Sequence, residues 1–547
     1  IMPTDQIKSS IPLNINDNNN NLDSPSPSSS YCLLTNGDLH FLPYSHSNNG
    51  SNFILNDNTI NNTLFNNNTA NTPLNYPIYS QFLDNKTVSS FDSNQSSPKN
   101  ILNDNYINST IHENTPIMKL LKNYKSHAIY LPDHYIPLEE DSNQIEKIKS
   151  LMMSIFSHWN HYNSIDIKKL TGGITNMLLE CNYNNPISNI TETVLVRTYG
   201  NGTDLIIDRD REFVSHLILN SKNLAPPIHA RFGNGLVYGF IEGRSLSFDE
   251  LSNNLLYPLI ASKLACLHKL ADINIINDSL NKLKLKFNTN SSSDIDIWSV
   301  LRDWVDKVPD IPSMINQCIE NSDILSNNNN NSIDNSTSLS SILLNEINWL
   351  QNEIGLTSVK VISHNDLLSG NIIIPKSIDI SKNKDQITNN LKSFNSNPLQ
   401  FIDYEYMMPA PRAFDIANHF MEWQGFDCDK SKIPQFTYNN SNGNYENLIV
   451  KNWCKYYLNA FHSSNPNLNP YNNDTIEKII NNNIDENLLN HLVNEVALHY
   501  GLPGLYWGIW AGIQSKISLI DFDYSSYSCN RLIEYWNWKR NYLKNKK

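Results

Sequence analysis

Two short polar loops, each bounded by apolar β-prone segments, constrain the fold of this chain more than any other part of it. They lie in VISHNDLLSGNIIIP, residues 361–375, and in QFIDYEYMMPAPRAFDIANHF, residues 400–420. Apolar runs of this length flanked by polar loops predict buried strands. The pattern therefore predicts that two strands carry acidic side chains to the edge of a single site.

The spacing in the first loop is typical of phosphoryl transfer. Asp366 and Asn371 stand in an H-x-D-x-x-x-x-N arrangement. A carboxylate there meets the attacking hydroxyl, and an amide oxygen further round the loop holds Mg²⁺ on the nucleotide phosphates. Asp403, after the buried pair Phe401-Ile402, is the candidate for a second metal ligand. Alone, an H-x-D loop is more often a turn with an Asx hydrogen bond. The order of base, amide and metal carboxylate over the two loops favours a catalytic site instead.

Composition separates ordered from low-complexity parts of the 547 residues. Residues 1–115 are rich in Asn, Ser, Asp and Pro and have few clustered apolar residues, so we predict a disordered tail. Residues 116–243 are predicted to form an N-terminal nucleotide-binding lobe and residues 244–547 a C-terminal catalytic lobe. Three polar segments are interpreted as loop insertions around an intact core, namely residues 274–295, 321–340 and 375–397.

The bulk properties exclude several classes of partner. The net charge of −13, without a clustered Lys/Arg face, argues against nucleic acid or an anionic membrane. Seven scattered cysteines indicate a reducing compartment. No apolar run is long enough to span a bilayer, and the longest, residues 501–513, is interrupted by Pro503 and glycines. We therefore expect a soluble, cytoplasmic protein, with its oligomeric state open and a homodimer among the options.

The N-terminal lobe is predicted to begin with a helix over residues 143–159. Strands follow over residues 166–170, 177–182 and 193–200. The GGITN turn lies between the first two strands, and glycines there let backbone N–H groups approach phosphates closely. Its candidate nucleotide-binding residues are Gly172, Gly173, Thr175 and Asn176, although a plain hairpin turn is the commoner explanation of such a motif.

Arg197 in the third strand occupies the position at which protein kinases carry a phosphate-binding Lys. An Arg there stays charged and can hold phosphate bidentately. The next helix, over residues 208–220, has Asp208 as its expected N-cap and carries Glu212, which is either a partner for Arg197 or a surface residue. The strand after it runs into a glycine-containing linker, where backbone groups at Gly239 and Ile241 are candidates to meet an adenine edge.

Two helix starts are predicted in the second lobe. Ser247 and Glu250 form a capping box that opens a helix carrying Leu255 and Leu256, which Pro258 kinks or restarts. Residues 412–424 form a later helix, on which Asp415 could brace the catalytic loop and Glu422 faces the same side. We interpret His268, near a helix end, as structural.

The C-terminal part is helical and aromatic. Trp507 and Trp510 lie on one helical face, followed by Phe522, Tyr524 and Tyr527. An aromatic stripe at this spacing is most often core packing. The alternative is a box for a small amine, because ring faces attract cations.

The chain resembles the choline/ethanolamine kinase family from about residue 142 to residue 539, excluding the insertions. The matching segments are GGITN, VLVRTYGNGTDLIIDRDRE, VYGFIEG, HNDLLSGNIII, FIDYEY, FDIANHFMEW and YWGIWAGIQSKISLIDFDYSSY. The resemblance implies an α+β, two-lobed protein-kinase-like fold, with a small N-lobe built on an antiparallel sheet and a larger, mainly helical C-lobe. It also implies ATP, Mg²⁺ and transfer of the γ-phosphoryl group to the hydroxyl of a small amino alcohol.

The resemblance also assigns roles by motif. Asp366 looks like the catalytic base, Asn371 and Asp403 look like the Mg²⁺ ligands, and Arg197 resembles the phosphate-binding cation. The expected substrate-binding residues are Glu422, Trp507, Trp510, Phe522 and Tyr527.

Within the family, DLIIDRDRE and FGNGLVYGFIEG look more like the ethanolamine branch. A primary ammonium has N–H donors and favours carboxylates, whereas a trimethylammonium head favours a full aromatic box. After Trp423 this chain has Asp427 where choline-type members carry tyrosines. We therefore predict an ethanolamine kinase that makes phosphoethanolamine, the first step of phosphatidylethanolamine synthesis by the CDP-ethanolamine route.

Three other functions stay open from the sequence. The nearest is a choline kinase, or an enzyme acting on both amines, with the same mechanism. A phosphotransferase for aminoglycosides or sugars is disfavoured by the aromatic C-terminal run, because hydroxyl-rich substrates need more polar walls. A catalytically inactive scaffold is disfavoured by the complete set of base, amide and metal carboxylate.

Overall fold

The computed structural model describes residues 115–546, with gaps at 139–141, 171–175, 201, 285–294, 327–337, 426–427 and 473–483. Several predictions concern residues outside the described ones. They are the tail up to residue 114, the turn residues Gly172, Gly173 and Thr175, parts of the first two insertions, and Asp427.

A six-stranded sheet forms the N-terminal lobe. Its strands are β1 (Ile129–Leu131), β2 (Ile165–Leu170), β3 (Asn176–Asn184), β4 (Thr191–Tyr199), β5 (Ile228–Phe232) and β6 (Gly235–Gly239), in the order β1-β5-β6-β4-β3-β2. All neighbours are antiparallel except β1 and β5. Residues of β3 alternate between buried and partly buried, as a sheet with one covered face requires. The three strands predicted around GGITN are confirmed as β2, β3 and β4.

Three helices accompany this sheet: α1 (Pro116–Asn123), α2 (Ser142–Ile155) and α3 (Arg209–Ser221). Asp208 caps α3 as predicted, because its side chain accepts the backbone N–H groups of Asp210 and Arg211. Helix α2 ends four residues before the predicted end at Trp159. Trp159 instead turns into the core, where its ring stacks on Tyr183 with centroids 5.1 Å apart.

The C-terminal lobe is mainly helical. Its helices are α4 (Phe248–Leu251), α5 (Tyr257–Leu270), α6 (Ile273–Lys284), α7 (Ile297–Val305), α8 (Pro312–Ser326), α9 (Leu339–Ile354), α10 (Lys384–Lys392), α11 (Arg412–Met421), α12 (Leu448–His462), α13 (Glu486–Leu498), α14 (Leu502–Ile517) and α15 (Tyr524–Lys546). Its strands are β7 (Arg244–Ser245), β8 (Lys360–Ser363), β9 (Ile372–Ile374), β10 (Gln400–Phe401), β11 (Met408–Pro411), β12 (Thr437–Asn439) and β13 (Asn444–Glu446). The predicted α+β, two-lobed architecture is confirmed.

Short strand pairs hold the two acidic loops in place. Strand β9 pairs antiparallel with both β10 and β7, and β8 pairs antiparallel with β11. The two ends of the third insertion are therefore adjacent strands, β9 and β10. Strand β8 leads into the first loop and β9 follows it, while β10 leads into the second loop. Because these strands are paired, both loops begin at one edge of the lobe.

The interpretation of the polar insertions as loops was wrong in part. Residues 273–284 form α6 and residues 384–392 form α10, and Ile387 and Leu391 of α10 are buried in the core. One apolar side per helix is enough to anchor an otherwise polar segment.

The helix opened by Ser247 was also predicted too long. Its capping box is present, with the Ser247 N–H 2.8 Å from Glu250 Oε2, but α4 ends at Leu251. Leu255 and Leu256 lie in the connection before α5, which carries Pro258 in its first turn. Proline fits that position because no intrahelical partner is needed for its missing N–H.

Residues 501–513 are not broken, contrary to the sequence interpretation. Pro503 lies in the first turn of α14, and the glycines that follow lie where α15 packs closely. A Cβ at Gly504 would be 2.6 Å from the Arg531 carbonyl oxygen, and one at Gly508 would be 2.8 Å from the Leu532 side chain. None of the helices in the described part of the chain is long and apolar enough to cross a membrane.

Candidate active site

Asp366 and Asn371 lie in the loop between β8 and β9 and contact each other directly. The Asn371 Nδ2 donates to Asp366 Oδ2 at 2.9 Å and to the Asp366 carbonyl oxygen at 2.8 Å. These two bonds fix the Asp366 carboxylate by one oxygen. They also leave the amide oxygen of Asn371 without a hydrogen bond to any described residue.

Asp403 is delivered to the same place by β10. The Ile402 N–H donates to the Asn371 carbonyl oxygen at 3.0 Å, and His364 Nε2 donates to the Ile402 carbonyl oxygen at 3.0 Å. Asp403 itself has a φ of 66°, in the left-handed region that few non-glycine residues adopt. Such a conformation often marks a functional site, because the surrounding structure must hold it. The structure thus brings Asp366, Asn371 and Asp403 together.

The two carboxyl groups bind protons more tightly than ordinary aspartates. Burial raises the pKa of Asp366 well above its usual value, and the charges of Asp403, Glu422 and Glu405 add to this, while the bond from Asn371 acts against it. Burial also raises the pKa of Asp403 to about 6, although Arg197 opposes the shift. A cation placed between these groups would relieve the repulsion.

The residues at this site fit a magnesium ion with few protein ligands. Among the described residues, no group of three or more His, Cys, Asp and Glu side chains is arranged to hold a metal. Mg²⁺ commonly takes one or two protein carboxylates and completes its shell with water and substrate phosphates. Asp403 Oδ1 is buried and accepts no hydrogen bond from a described residue, although it forms an ion pair with Arg197 Nη1 at 2.9 Å. Asp403 and the Asn371 amide oxygen are therefore suitable ligands.

Arg197 is buried among three carboxylates. Its Nη1 lies 3.2 Å from Glu212 Oε1 and 2.9 Å from Asp403 Oδ1, and its Nη2 hydrogen-bonds to Glu405. Of the two interpretations left open for Glu212, the structure supports the partnership with Arg197. The same guanidinium links the N-terminal sheet to the second acidic loop.

Arg209 is a second cation of this cluster, which the sequence interpretation missed together with Glu405. Its Nη1 lies 2.9 Å from Glu212 Oε2 and 3.2 Å from Glu405 Oε2, and its Nη2 donates to Asn176 Oδ1 at 3.0 Å. Asn176 in turn donates to Glu405 Oε2 at 2.9 Å. Of the predicted turn residues, Asn176 is thus tied to the cluster. Only their positions in the sequence could have pointed to these two residues. Glu405 follows Asp403 by two residues, and Arg209 directly follows the helix cap.

Asp415 of α11 braces the catalytic loop, as predicted. Its carboxylate accepts the backbone N–H groups of His364 at 2.8 Å and Asn365 at 2.9 Å, and it contacts His268 Nε2 at 2.8 Å. Burial opposes ionisation, but the hydrogen bond from His268 helps to lower the pKa of Asp415 below its usual value. His268 is held by the Tyr457 hydroxyl at 2.8 Å, so its predicted structural role is supported.

The two tryptophans of α14 are connected to the catalytic loop by hydrogen bonds. Trp507 Nε1 donates to Asn418 Oδ1 at 2.8 Å, and Asn418 Nδ2 donates to the Asn365 carbonyl oxygen at 2.8 Å. Trp510 Nε1 donates to the Tyr406 hydroxyl at 2.8 Å. The indole rings meet edge to face, 5.4 Å apart. Asn418 and Tyr406 escaped the sequence interpretation, because nothing in their spacing indicates a partner on α14.

Phe522 and Tyr527 extend the aromatic wall. The Phe522 ring lies 5.7 Å from that of Tyr527 and 4.8 Å from that of Tyr524, which is 6.0 Å from Trp510. Glu422 acts electrostatically on two groups of the site. Its charge adds to burial in raising the pKa of Tyr527 and of Asp366. The predicted helix through Gln424 in fact ends at Met421, and Glu422 begins a 3₁₀ turn.

Gly239 and Ile241, at the linker between β6 and β7, differ in whether their backbone groups are available to a nucleotide. The Gly239 N–H donates to the Pro227 carbonyl oxygen at 2.8 Å, so this donor is not available to a nucleotide, contrary to expectation. The backbone of Ile241 makes no hydrogen bond to any described residue. Ile241 is therefore the better candidate to meet an adenine edge.

Comparison with known proteins identifies the family. The choline/ethanolamine kinase family model matches residues 167–536. The human protein named ethanolamine kinase 1 is 30% identical over 405 residues, covering 73% of this chain and 73% of the human one. The chain belongs to the choline/ethanolamine kinase family. The mouse ethanolamine kinase 1 is 29% identical over 392 residues, covering 71% of this chain and 88% of the mouse one.

A solved structure of an ethanolamine kinase from Plasmodium vivax is also similar to this choline/ethanolamine kinase family member. It is 23% identical and aligns with a TM-score of 0.48, covering 76% of this chain and 92% of that one.

In this family member, Asp415→Asn should loosen the catalytic loop. Asparagine offers one oxygen to two backbone N–H donors, and its amide donors face groups that already donate. We expect the free energy of unfolding to fall by about 1–3 kcal/mol, the cost of leaving a buried donor unpaired. Chemical denaturation measures this loss, and kcat should fall while KM for ATP changes little. Unchanged stability and kcat would show that Asp415 does not brace the loop.

Proposed function

We propose that this protein transfers the γ-phosphoryl group of ATP to the hydroxyl of ethanolamine. The observation that carries the proposal is the direct contact of Asp366 with Asn371 at the loop that also receives Asp403. Family membership and the names of the human and mouse relatives support the reaction and the amine.

Asp366 is proposed as the base that accepts the substrate hydroxyl proton. Asn371 binds one of its carboxylate oxygens and leaves the other to face a substrate. A raised pKa suits a general base, because it strengthens proton acceptance while neutral pH still allows ionisation once positive charge is nearby. Positioning and charge neutralisation supply most of the rate in phosphoryl transfer.

ATP and Mg²⁺ are proposed to bind between the lobes. When bound, Mg²⁺ on Asn371 and Asp403 would neutralise charge on the β- and γ-phosphates. Arg197 contacts Asp403 in this structure. When a nucleotide binds, the guanidinium would turn from Asp403 toward phosphate and keep its ion pairs with Glu212 and Glu405. Ile241 is proposed to meet the adenine, and Gly172, Gly173, Thr175 and Asn176 the phosphates.

Glu422 and the aromatic wall are proposed to hold the ammonium group. A primary ammonium has three N–H donors and needs acceptors, which a buried carboxylate supplies. Burial raises the pKa of Glu422, with Arg531 opposing, so a cationic substrate would favour its ionised form. Trp507, Trp510, Phe522 and Tyr527 would contribute cation–π attraction.

The lobes are proposed to divide at residues 243 and 244. The support is the pairing of β7 with β9, which places the chain after residue 243 in the C-terminal lobe. The disordered tail over residues 1–115, the homodimer and the cytoplasmic location stay predictions.

Comparing kcat/KM for ethanolamine and choline tests the proposed amine. With purified full-length protein, ATP and Mg²⁺, we expect ethanolamine to be preferred by at least about tenfold, the effect of one well-placed charged hydrogen bond. Coupled detection of ADP release measures both rates. A preference for choline would make the protein a choline kinase.

Glu422→Gln should reduce this preference. It removes the proposed acceptor of the ammonium N–H groups, so kcat/KM for ethanolamine should fall by about 10–100-fold and that for choline by less. The same two-substrate assay measures both losses. An equal loss for both amines would indicate that Glu422 does not select between them.

A further inference from the structure

A cavity lies between the start of α3 and helix α7. It is open to solvent, has a volume of about 620 Å³, and is lined on one side by residues 204–211. Its other wall includes Val300 and Trp304 of α7. The proposed mechanism uses none of the contacts described below.

Arg211 lines this cavity and is almost fully buried. The residue is only 4% exposed, and its Nε is buried without a hydrogen bond. No described residue forms an ion pair with it. A largely buried guanidinium without an ion pair would be stabilised by an anion bound in the cavity.

Two neutral donors, one on α7 and one on α14, also lack acceptors. The indole N–H of Trp304 and the hydroxyl of Tyr506 are buried and have no hydrogen bond among the described residues. Their rings lie 4.9 Å apart. Burial raises the pKa of Tyr506, with the charge of Arg211 acting against the rise, so its hydroxyl stays protonated at neutral pH. Trp304 lines the wall of the cavity opposite Arg211, and the Tyr506 ring packs against it.

Three of the four acidic residues around the cavity are engaged elsewhere. Asp210 pairs with Arg231 at 2.7 Å, and Asp303 pairs with Lys307 at 2.6 Å. Asp208 accepts two backbone N–H groups at the start of α3. The fourth, Asp204, is exposed and forms no ion pair with a described residue, so none of the four is paired with Arg211. The same acidic residues would repel a ligand with several negative charges, such as a nucleotide.

We propose that this cavity binds a small organic monoanion, with its carboxylate or phosphate-ester group on Arg211 and an apolar body against Ile206, Ile207 and Val300. One guanidinium without an ion pair matches a single anionic group. The apolar residues of the wall match a hydrocarbon or aromatic body of a ligand. Because Tyr506 precedes Trp507 on α14, an anion here would lie behind the proposed amine wall.

Calorimetric titration of the full-length protein at constant ionic strength tests the site. The probes are sodium octanoate, 1-octanol as its neutral analogue, and inorganic phosphate. We expect octanoate to bind with a stoichiometry near one, and octanol to bind at least about tenfold more weakly. Arg211→Gln should weaken octanoate binding by about 10–100-fold. Lys307→Gln is the matched control and should change binding by less than about threefold, because that charge is already paired.

Thermal unfolding provides a second measurement that does not depend on catalysis. Without ligand, Arg211→Met should melt at or above the wild-type temperature, because a buried unpaired charge is removed. Octanoate should raise the melting temperature of the wild type and not that of the variant.

Three outcomes would overturn the proposal. They are equal octanoate affinity in Arg211→Gln, a large fall in the melting temperature of Arg211→Met, and binding of phosphate with none of octanoate. Because no measurement requires turnover, failure here is distinguishable from failure of the proposed kinase activity.

Discussion

Asp366→Asn is expected to lower kcat by about 10²–10⁴-fold, the usual contribution of a general base. The substitution keeps the shape of the side chain and an oxygen that Asn371 Nδ2 can bind, but it removes the group that accepts the substrate proton. KM for ATP and ethanolamine should change much less, because Asp366 is not assigned to hold either substrate. Steady-state kinetics with purified protein measure both parameters.

The same substitution should not destabilise the protein. The folded-state pKa of Asp366 is raised above the unfolded value, so its contribution to stability is greatest at low pH and is lost as pH rises through the folded pKa. At neutral pH without Mg²⁺, the neutral amide should therefore give equal or higher stability. Thermal unfolding in metal-free buffer measures this.

Asp385→Asn is the matched control for this experiment. Asp385 is an exposed carboxylate in the first turn of α10, in the segment between the two acidic loops, and its removal should leave kcat unchanged. Full turnover in Asp366→Asn would show that Asp366 is not the base of the reaction.

The catalytic loop could be predicted because its geometry is local. Asp366 and Asn371 are five residues apart, and the loop closes on itself through the bonds from the Asn371 amide. Apolar runs on each side indicate the strands without any knowledge of the rest of the fold. The position of Asp403 could be predicted for the same reason, since a short buried strand ends just before it.

The cluster around Arg197 could be predicted only in part. Glu212 follows Arg197 in the next element, so the pair was a reasonable expectation. Arg209 and Glu405 are separated by 196 residues and meet only because the lobes come together. A single charged residue in a loop carries no periodic signal for such a contact.

Composition misled the interpretation where a few residues decide the structure. The segment that contains α10 is polar on average, yet Ile387 and Leu391 suffice to bury one side of a helix. The glycines of α14 are helix breakers in isolation. Against α15 they are favourable, because a Cβ at Gly504 or Gly508 would collide with the neighbouring helix. Neither effect is visible until the packing partner is known.

Arg197→Met should be the most destabilising single substitution at this site. It leaves Glu212, Asp403 and Glu405 with one fewer cation in a buried cluster, where Arg209 alone remains. Breaking a buried ion pair by removing one partner generally costs about 3–5 kcal/mol, because the remaining charge is buried without compensation. Denaturation followed by tryptophan fluorescence should show this loss in the free energy of unfolding, and activity should fall as the proposed phosphate contact is lost.

The pH dependence and a double variant separate this charge effect from lost packing. Arg197 lowers the pKa of Asp403, so in Arg197→Met that pKa rises further, and the destabilisation should grow as pH increases through about 6. Adding Glu405→Gln removes one of the uncompensated charges, so the double variant should be more stable than the sum of the single effects. Arg540→Met, at an exposed arginine of α15, should change stability by less than about 0.5 kcal/mol. A loss that is independent of pH and additive with Glu405→Gln would mean that Arg197 acts through packing, and that the carboxylates do not depend on its charge.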